Sequence, residues 1–225
     1  QKKKVKNMDF QTNLIWSNFP FLIQGLWLTL SATVVALLIG IIQGGIFCYL
    51  KLSKNIFAYR LSSYYITFFR TTPEMILIFW GYFCIPLITQ QKISGFWSGS
   101  IILGFVTAAY LAEIFRAGIE AIPKGQIEAS FSLSIPIIPR WRFIILPQAL
   151  KLMVPPLVNY FTELIKNTTL LSAIGVAELA LQAYLLGGQT YRYLEFLSAI
   201  AFIYFVIIFP FTLFSRRFEK INELN

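Results

Sequence analysis

Residues 25–50 read GLWLTLSATVVALLIGIIQGGIFCYL, and these 26 consecutive positions contain no charged side chain. The run ends at Lys51, and Lys54 follows shortly after it. A helix needs about 20 apolar residues to cross the hydrocarbon core of a bilayer. The stretch therefore predicts a transmembrane helix, and it sets the class of fold into which the rest of the chain must fit.

The composition of the whole chain agrees with a membrane protein. Of its 225 residues, 57% are hydrophobic and 13% are charged, and the mean hydropathy is +0.67. A soluble domain has about 25% charged residues. This chain therefore lacks the polar side chains that would be needed to cover its surface in water.

Several classes of function are excluded by the residues that the chain lacks. It contains no histidine, so serine–histidine and cysteine–histidine catalytic pairs and histidine metal sites are absent. Its two cysteines, Cys48 and Cys84, lie inside apolar runs, where cysteine is ordinarily an inert buried side chain. The net charge of +9 comes from basic residues scattered between apolar runs, which does not indicate a nucleic-acid-binding patch. We expect no enzyme, no metal site and no nucleic-acid partner.

Four further membrane spans are predicted, although two of them are interrupted by polar residues or proline. The second is broken by Arg70, Pro73 and Glu74, and the fourth contains two prolines and Glu163. Charged residues at bilayer depth are costly, so these side chains should face a cavity or a partner. In order, the predicted spans are Tyr59–Ile88, Phe96–Ile114, a segment that begins near Pro147, and Phe196–Ser215.

Two segments outside these spans are also assigned from composition. The aromatic stretch Phe10–Gln24 is amphipathic and is predicted to lie along the membrane interface. The residues Gly187, Gly188 and Gln189 predict a loop between the fourth and fifth spans.

Loop charge predicts the orientation of the chain. With the N-terminus outside and the C-terminus inside, the inside segments carry 11 Lys and Arg residues and the outside segments carry 7. Cytoplasmic loops are enriched in basic residues, which favours this arrangement. The cluster Lys2, Lys3, Lys4 and Lys6 would then lie outside, against the general trend.

The long segment from Phe115 to Leu146 is rich in charge and proline and is predicted to lie outside the membrane. Pro123 suits the first turn of a helix, and Pro136 disfavours helix at the residue before it. A short helix should therefore end near Ser134. Ile127, Phe131 and Leu133 would give this helix one apolar side, with Lys124 and Glu128 at polar positions.

This segment resembles the EAA loop of bacterial ABC-transporter permeases, whose pattern is Glu-Ala-Ala, three residues, Gly, nine residues, Ile, one residue, Leu-Pro. Matching residues stand at the right spacing, whereas two serines replace the second alanine and the glycine. The matches are Glu128, Ala129, Ile144, Leu146 and Pro147, and the replacements are Ser130 and Ser134. Serine tolerates a left-handed turn less well than glycine, at a cost of about 1 kcal/mol.

Three further segments are similar to signatures of the polar amino-acid permeases within that family. They are Phe69–Pro73, Tyr110–Gln126 and Leu164–Leu179, with Thr71 where the first signature has glycine. The resemblance covers roughly residues 15–220. It implies an all-α membrane protein with about five transmembrane helices of the type I ABC importer permease fold, and a short cytoplasmic coupling helix.

The resemblance also implies the organisation and partners of the chain. A basic N-terminal tail (1–14) would precede a permease domain (15–220), with the cytoplasmic EAA loop at about 116–147 and a C-terminal tail at 221–225. The coupling helix would dock on a cytoplasmic ABC ATPase dimer through Lys124, Gly125, Glu128, Ala129, Ser134, Leu146 and Pro147. The chain has no phosphate-binding loop of the Walker type, so ATP would be bound by the partner subunit and the chain needs no cofactor of its own. A second permease copy or a homologous permease, and an extracytoplasmic amino-acid-binding protein, would complete the importer in the bacterial cytoplasmic membrane.

The charged residues within the spans are candidates for the path of the substrate. A free amino acid carries an ammonium and a carboxylate group, so its passage profits from an acid and a base at cavity depth. Asn159 and Glu163, four residues apart on one helical face, are the first candidates. Arg70 and Lys166 are candidates for the carboxylate end, and Thr72 is either part of the path or part of a kink. Structural ion pairs are the competing interpretation of all these charges.

Two alternative functions stay open at this point. A stand-alone channel or secondary transporter would need no docking helix for an ATPase. An ABC permease for another small zwitterion, such as an opine, would differ from an amino-acid permease mainly in its separate binding protein.

Overall fold

The structure is a computed structural model that describes residues 10–223, with side-chain surroundings for residues 10–218. The basic cluster Lys2 to Lys6 and the last two residues of the predicted C-terminal tail lie outside the described residues. Eleven α-helices occupy the described part of the chain: α1 Thr12–Ser17, α2 Phe19–Leu52, α3 Ile56–Thr71, α4 Glu74–Phe79, α5 Ile85–Thr89, α6 Gly95–Glu120, α7 Lys124–Ser132, α8 Ile137–Pro139, α9 Leu146–Asn167, α10 Leu179–Thr190 and α11 Tyr193–Glu223.

Three short helical turns of other geometry connect some of these helices. A π-helical turn, Trp80–Cys84, joins α4 to α5, and another, Arg140–Ile145, joins α8 to α9. A 3-10 helix, Thr168–Ile174, continues α9. Four helical segments in the described chain are long and apolar enough to cross a membrane, and the bent pair α3 and Glu74–Thr89 makes a fifth. The all-α architecture with about five spans is confirmed.

Two apolar helices, α2 and α6, run side by side in the same direction through the centre of the fold. Gly44 faces α6 so closely that an added Cβ would lie 3.0 Å from the carbonyl oxygen of Ala108. Ala32 and Ala36 of α2 share the core with Leu103 of α6, and all three are buried. Small residues on α2 allow this close approach, which is the usual way that helices pack in membranes.

The predicted interfacial segment Phe10–Gln24 is divided between two helices in the structure. Helix α1 is a separate short helix before the first span. Helix α2 then begins at Phe19 and runs without a break to Leu52. Pro20 lies in the first turn of α2, where its missing N–H costs no hydrogen bond. Leu22 is fully buried against Leu179 and Phe196. Residues 19–24 therefore belong to the same continuous helix as the first span.

Two predicted loop segments are helical in the structure. Helix α6 continues through Phe115 to Glu120, beyond the predicted end of the third span at Ile114. Gly187, Gly188 and Gln189 lie inside α10, so the predicted loop there is wrong. At Gly187 an added Cβ would lie 2.6 Å from the Tyr193 ring. This glycine is required by the close approach of α11 and does not mark a turn.

Candidate functional site

The second span is broken at the middle of the fold. Helix α3 ends at Thr71 and α4 begins at Glu74, and the two helical segments meet at a bend of 103°. Thr72 has extended backbone angles, as expected for a residue that precedes proline. The predicted interruption is therefore confirmed, and it places Arg70 in the last turn of one helix and Glu74 in the first turn of the next.

Contacts between α3 and α6 place this break far from the ends of the spans. The Tyr65 hydroxyl donates a hydrogen bond of 2.9 Å to the carbonyl oxygen of Phe105, and the Phe69 and Phe105 rings lie 6.1 Å apart. Phe105 is near the middle of α6. The backbone break thus follows residues that contact the middle of α6, and irregular backbone within a span is tolerated only when it is buried in protein or lines a cavity.

A pair of stacked tyrosines connects this break to the fourth span. The rings of Tyr110 on α6 and Tyr160 on α9 are stacked with centroids 4.9 Å apart. The Arg70 guanidinium lies over the Tyr110 ring at 5.3 Å, and the Tyr160 hydroxyl donates to the Thr107 hydroxyl at 3.2 Å. Helices α3, α6 and α9 therefore meet around the rings of Tyr110 and Tyr160. The Arg70 cation lies against the Tyr110 ring.

Two carboxylates complete this polar cluster. Glu163 follows Tyr160 by three residues on α9, and it lies close enough to Glu74 for the two negative charges to repel each other. Among the described residues, neither carboxylate has a Lys or Arg nitrogen within 4.0 Å. Glu163 and Asn159 are exposed on the surface of the single chain. These acids are therefore available to a ligand or a partner subunit.

The two predicted basic residues, Arg70 and Lys166, line two separate surface cavities. Arg70 lines a cavity of about 460 Å³ with Tyr110, Leu152 and Pro156. Lys166 instead lines a groove of about 450 Å³ between α9 and α11, with Tyr204 and Thr212. Arg70 contacts the cluster through the Tyr110 ring, and the described lining of its cavity includes Glu113 but neither Glu74 nor Glu163. Lys166 lies against a different helix. Thr72 is partly buried at the break itself.

Sequence reasoning missed the tyrosines that organise the cluster. Tyr110 and Tyr160 stand in apolar runs, where tyrosine is usually a core or interfacial residue. Their spacing from charged residues could have indicated them. Tyr160 lies one helical turn before Glu163, and Tyr110 lies one turn before Glu113. Spacing alone could not reveal that the two tyrosines stack on each other.

Glu113 belongs to an ion cluster at one end of the bundle. Its carboxylate lies 2.9 Å from Lys51 Nζ and 2.6 Å from an Arg116 nitrogen, and Arg116 also pairs with Glu120. Because Lys51 is in the last turn of α2, Glu113 joins the end of α2 to α6 about two turns before α6 ends at Glu120. For this residue the structural interpretation of an intramembrane charge is the correct one.

The coupling segment lies at the same end as this ion cluster. Helix α7 presents Lys124, Gly125, Glu128 and Ala129 on its exposed surface, whereas Ser130 is buried. The predicted apolar side is divided: Ile127 packs with Ile122 and Ile145, but Phe131 and Leu133 are 60% and 74% exposed. The outer surface of α7 therefore combines charged residues with uncovered apolar side chains.

Helix α7 ends in a left-handed turn at Ser134, which has a φ of 51°. The N–H of Ser134 donates to Phe131 and the N–H of Ile135 donates to Ser130, which satisfies two carbonyl groups at the end of the helix. Serine thus occupies the position where the EAA pattern has glycine, and it adopts the conformation that glycine favours.

Side-chain contacts fasten α7 to the fourth span. The Arg140 guanidinium lies 3.7 Å from the centre of the Phe131 ring and donates to the Ile135 carbonyl oxygen at 2.7 Å. Gln148 donates to the side chain of Gln126 at 2.7 Å. Leu146 and Pro147, at the start of α9, are exposed beside this joint. Movement of α7 would therefore be transmitted directly to α9.

Comparison with known proteins agrees with this arrangement of a broken span and an external helix. Residues 36–221 match the family described as "Binding-protein-dependent transport system inner membrane component". The chain belongs to this family. Its relatives include the arginine transport system permease protein ArtQ of Bacillus subtilis, which is 34% identical over 214 residues, covering 95% of this chain and 97% of the relative. Another is a putative glutamine transport system permease protein of Rickettsia felis, which is 33% identical, with coverage of 89% and 92%.

Solved structures of inner membrane components of this kind share the fold. A chain from the crystal structure of an amino acid ABC transporter with histidines superimposes with a TM-score of 0.85 at 34% identity, covering 96% of this chain and 99% of that chain. A chain of the MetNI methionine ABC transporter, in an inward-facing conformation, has a TM-score of 0.69 at 23% identity, with coverage of 90% and 98%. The type I ABC importer permease fold is therefore confirmed for this chain.

Proposed function

We propose that this chain is the membrane-spanning permease subunit of an ABC importer that carries polar amino acids across the bacterial cytoplasmic membrane. The observation that carries the proposal is the cluster of Arg70, Glu74 and Glu163 around the stacked tyrosines at the break in the second span. Relatives named as arginine and glutamine permeases support the substrate class.

Each end of a free amino acid finds a partner of opposite charge in this cluster. The Arg70 guanidinium would bind the substrate carboxylate, because its planar fork of N–H donors matches a carboxylate. Glu163, assisted by Glu74, would bind the ammonium group of the substrate. The positive charge of the bound ammonium would relieve the repulsion between the two carboxylates. Asn159 and Thr72 would add neutral hydrogen bonds, and Lys166 would contact the substrate at another stage of its passage.

The energy for transport would come from a cytoplasmic ABC ATPase dimer. Lys124, Gly125, Glu128 and Ala129 would contact the ATPase through the exposed surface of α7. The turn at Ser134 and the start of α9 at Leu146 and Pro147 would hold α7 at a fixed angle to the membrane. ATP would be bound by that partner, and the permease would need no cofactor of its own.

A second permease, identical or homologous, would complete the passage. Asn159 and Glu163 lie on an exposed surface of the chain, so one subunit forms only one wall around a substrate bound to them. An extracytoplasmic binding protein would deliver the amino acid from outside. The N-terminus would be outside and the C-terminus inside, because this places α7 and the basic residue Lys51 on the cytoplasmic side.

The test is ATP hydrolysis by the complete complex in liposomes, with the ATPase and the binding protein encoded beside this chain. A panel of amino acids and opines would be offered one at a time. Stimulation by a polar amino acid, dependent on the binding protein, is the expected result. Stimulation only by an opine would overturn the substrate class, and transport without the ATPase would overturn the importer.

A further inference from the structure

An apolar groove of about 470 Å³ lies at the end of the bundle that carries the coupling segment, and no residue of the cluster around Arg70 takes part in it. Its walls come from α2, α6, the π-helical turn Arg140–Ile145 and α9. The residues that line it include Tyr49, Leu52, Phe115, Trp141 and Leu150, together with Gly45. Except for a few polar atoms, the lining is aliphatic and aromatic, so an occupant must itself be apolar.

Gly45 shows that this groove is open to an occupant from outside the chain. A Cβ added to Gly45 would have no heavy atom within 4 Å, whereas a Cβ on the adjacent Gly44 would touch α6. Glycine is among the least favourable residues inside a helix, and no packing within the chain requires it at position 45. Its missing side chain leaves open the space beside α2 at this position of the groove.

Two exposed basic residues are neighbours in sequence of residues that line the groove. Lys54 follows two residues after the lining residue Leu52, and Arg142 follows directly after Trp141, and both side chains are exposed. Among the residues with described side chains, neither Lys54 nor Arg142 has a carboxylate within 4.0 Å. Basic groups beside an apolar groove between membrane helices are suited to a lipid with an anionic headgroup.

We infer that this groove binds one acyl chain of an anionic phospholipid, whose phosphate lies against Lys54 and Arg142. The chain would fill the space beside Gly45 and contact Trp141. Because Trp141 lies between α7 and α9 in sequence, the lipid would support the joint through which the coupling helix moves the fourth span. This inference concerns membrane binding and does not depend on which substrate is transported.

Fluorescence quenching of Trp141 tests the inference directly. The complex would carry phenylalanine in place of Trp16, Trp27, Trp80 and Trp97, which are all more than half exposed. It would be placed in nanodiscs of phosphatidylcholine with an equal mole fraction of brominated phosphatidylglycerol or brominated phosphatidylcholine. Bromine on an acyl chain quenches tryptophan only at contact distance, and we expect at least twofold stronger quenching by the anionic lipid.

Variants distinguish lipid bound in the groove from the lipid that surrounds the whole protein. Gly45→Leu, whose Cβ has no heavy atom within 4 Å, would extend a side chain into the groove and should remove the excess quenching, whereas Ile42→Leu, at another exposed position of α2, should leave it unchanged. Replacing Lys54 and Arg142 with glutamine should equalise quenching by the two lipids. Equal quenching in the unmodified groove, or an excess that survives Gly45→Leu, would overturn the inference. Melting temperatures of all variants would confirm that each is folded.

Discussion

The guanidinium of Arg70 lies 5.3 Å from the centre of the Tyr110 ring, so the last turn of α3 meets the middle of α6 through a cation and an aromatic face. Tyr110 in turn stacks on Tyr160 at 4.9 Å. A cation that is held by an aromatic ring keeps most of its N–H donors free. The ring therefore positions Arg70 and leaves it able to bind an anionic group.

Replacing the Tyr110 ring should weaken substrate binding through Arg70. We expect Tyr110→Leu to raise the apparent KM for uptake roughly threefold to tenfold, because a cation–π contact contributes about 0.5–2 kcal/mol. Tyr110→Phe keeps the aromatic face and should change the KM much less. Uptake by proteoliposomes at a series of substrate concentrations measures both. Equal effects of the two variants would contradict the role of the ring.

The Glu163 carboxylate should be a direct contact of the substrate. We expect Glu163→Gln to raise the apparent KM about tenfold or more, because a charge-assisted hydrogen bond contributes about 1.5–3 kcal/mol. The same variant should also alter the order of preference among amino acids. Glu120→Gln is the matched control, since Glu120 is an exposed acid paired with Arg116. Uptake profiles identical to those of the unmodified chain would remove Glu163 from the substrate path.

Reversal of the charge at Glu128 should separate the permease from its ATPase. Glu128 is exposed on the outer surface of α7, so Glu128→Lys should leave the fold and membrane insertion intact. We expect the ATPase to be lost from co-purification and transport to be abolished, while Glu128→Gln should show a smaller loss. Membrane fractionation and pull-down of the tagged permease measure these outcomes. An unchanged amount of ATPase with Glu128→Lys would argue against docking at this helix.

Glycine at the left-handed position should stabilise the end of the coupling helix. Ser134 has a φ of 51°, and a left-handed conformation costs a residue with a side chain about 1 kcal/mol, so Ser134→Gly should raise the free energy of unfolding by up to that amount. Ser132→Gly, within α7, should instead lower it, because glycine is about 0.5 kcal/mol less favourable than serine in a helix. Denaturation in detergent micelles gives both values. A change of the same sign in both variants would show that backbone conformation is not the cause.

The ion pair between Lys51 and Glu113 should contribute measurably to stability. Both side chains are 17% exposed, so their contact at 2.9 Å is only partly screened by solvent. A double-mutant cycle of Lys51→Gln and Glu113→Gln should give a coupling energy of about 1 kcal/mol, at the upper end of values for surface pairs. Thermal unfolding of the four proteins provides the data. Additivity within about 0.3 kcal/mol would mean that the two side chains act independently.

The order and number of the spans could be predicted from the sequence because they depend on the local density of apolar residues. Residues 25–50 must avoid water wherever the rest of the chain lies, and a helix is the form that satisfies their backbone groups in lipid. The turn at Ser134 is equally local, since it follows from the EAA spacing and from Pro136 two residues later. The break at Thr72 is set by the proline that follows it.

Features that depend on contact between distant segments could be recognised only in the tertiary structure. Gly187 suggests a turn when its neighbours in the sequence are considered, but the ring of Tyr193 makes it a packing residue of a helix. Tyr110 and Tyr160 are separated by 50 positions, and their stacking depends on how α6 and α9 cross. The sequence by itself determined about five apolar spans and a short helix outside them, because burial in lipid and backbone preference act locally, and the resemblance of the EAA loop pointed to a permease. The tertiary structure alone decided which charges meet at the break, because that follows from the packing of three separate helices.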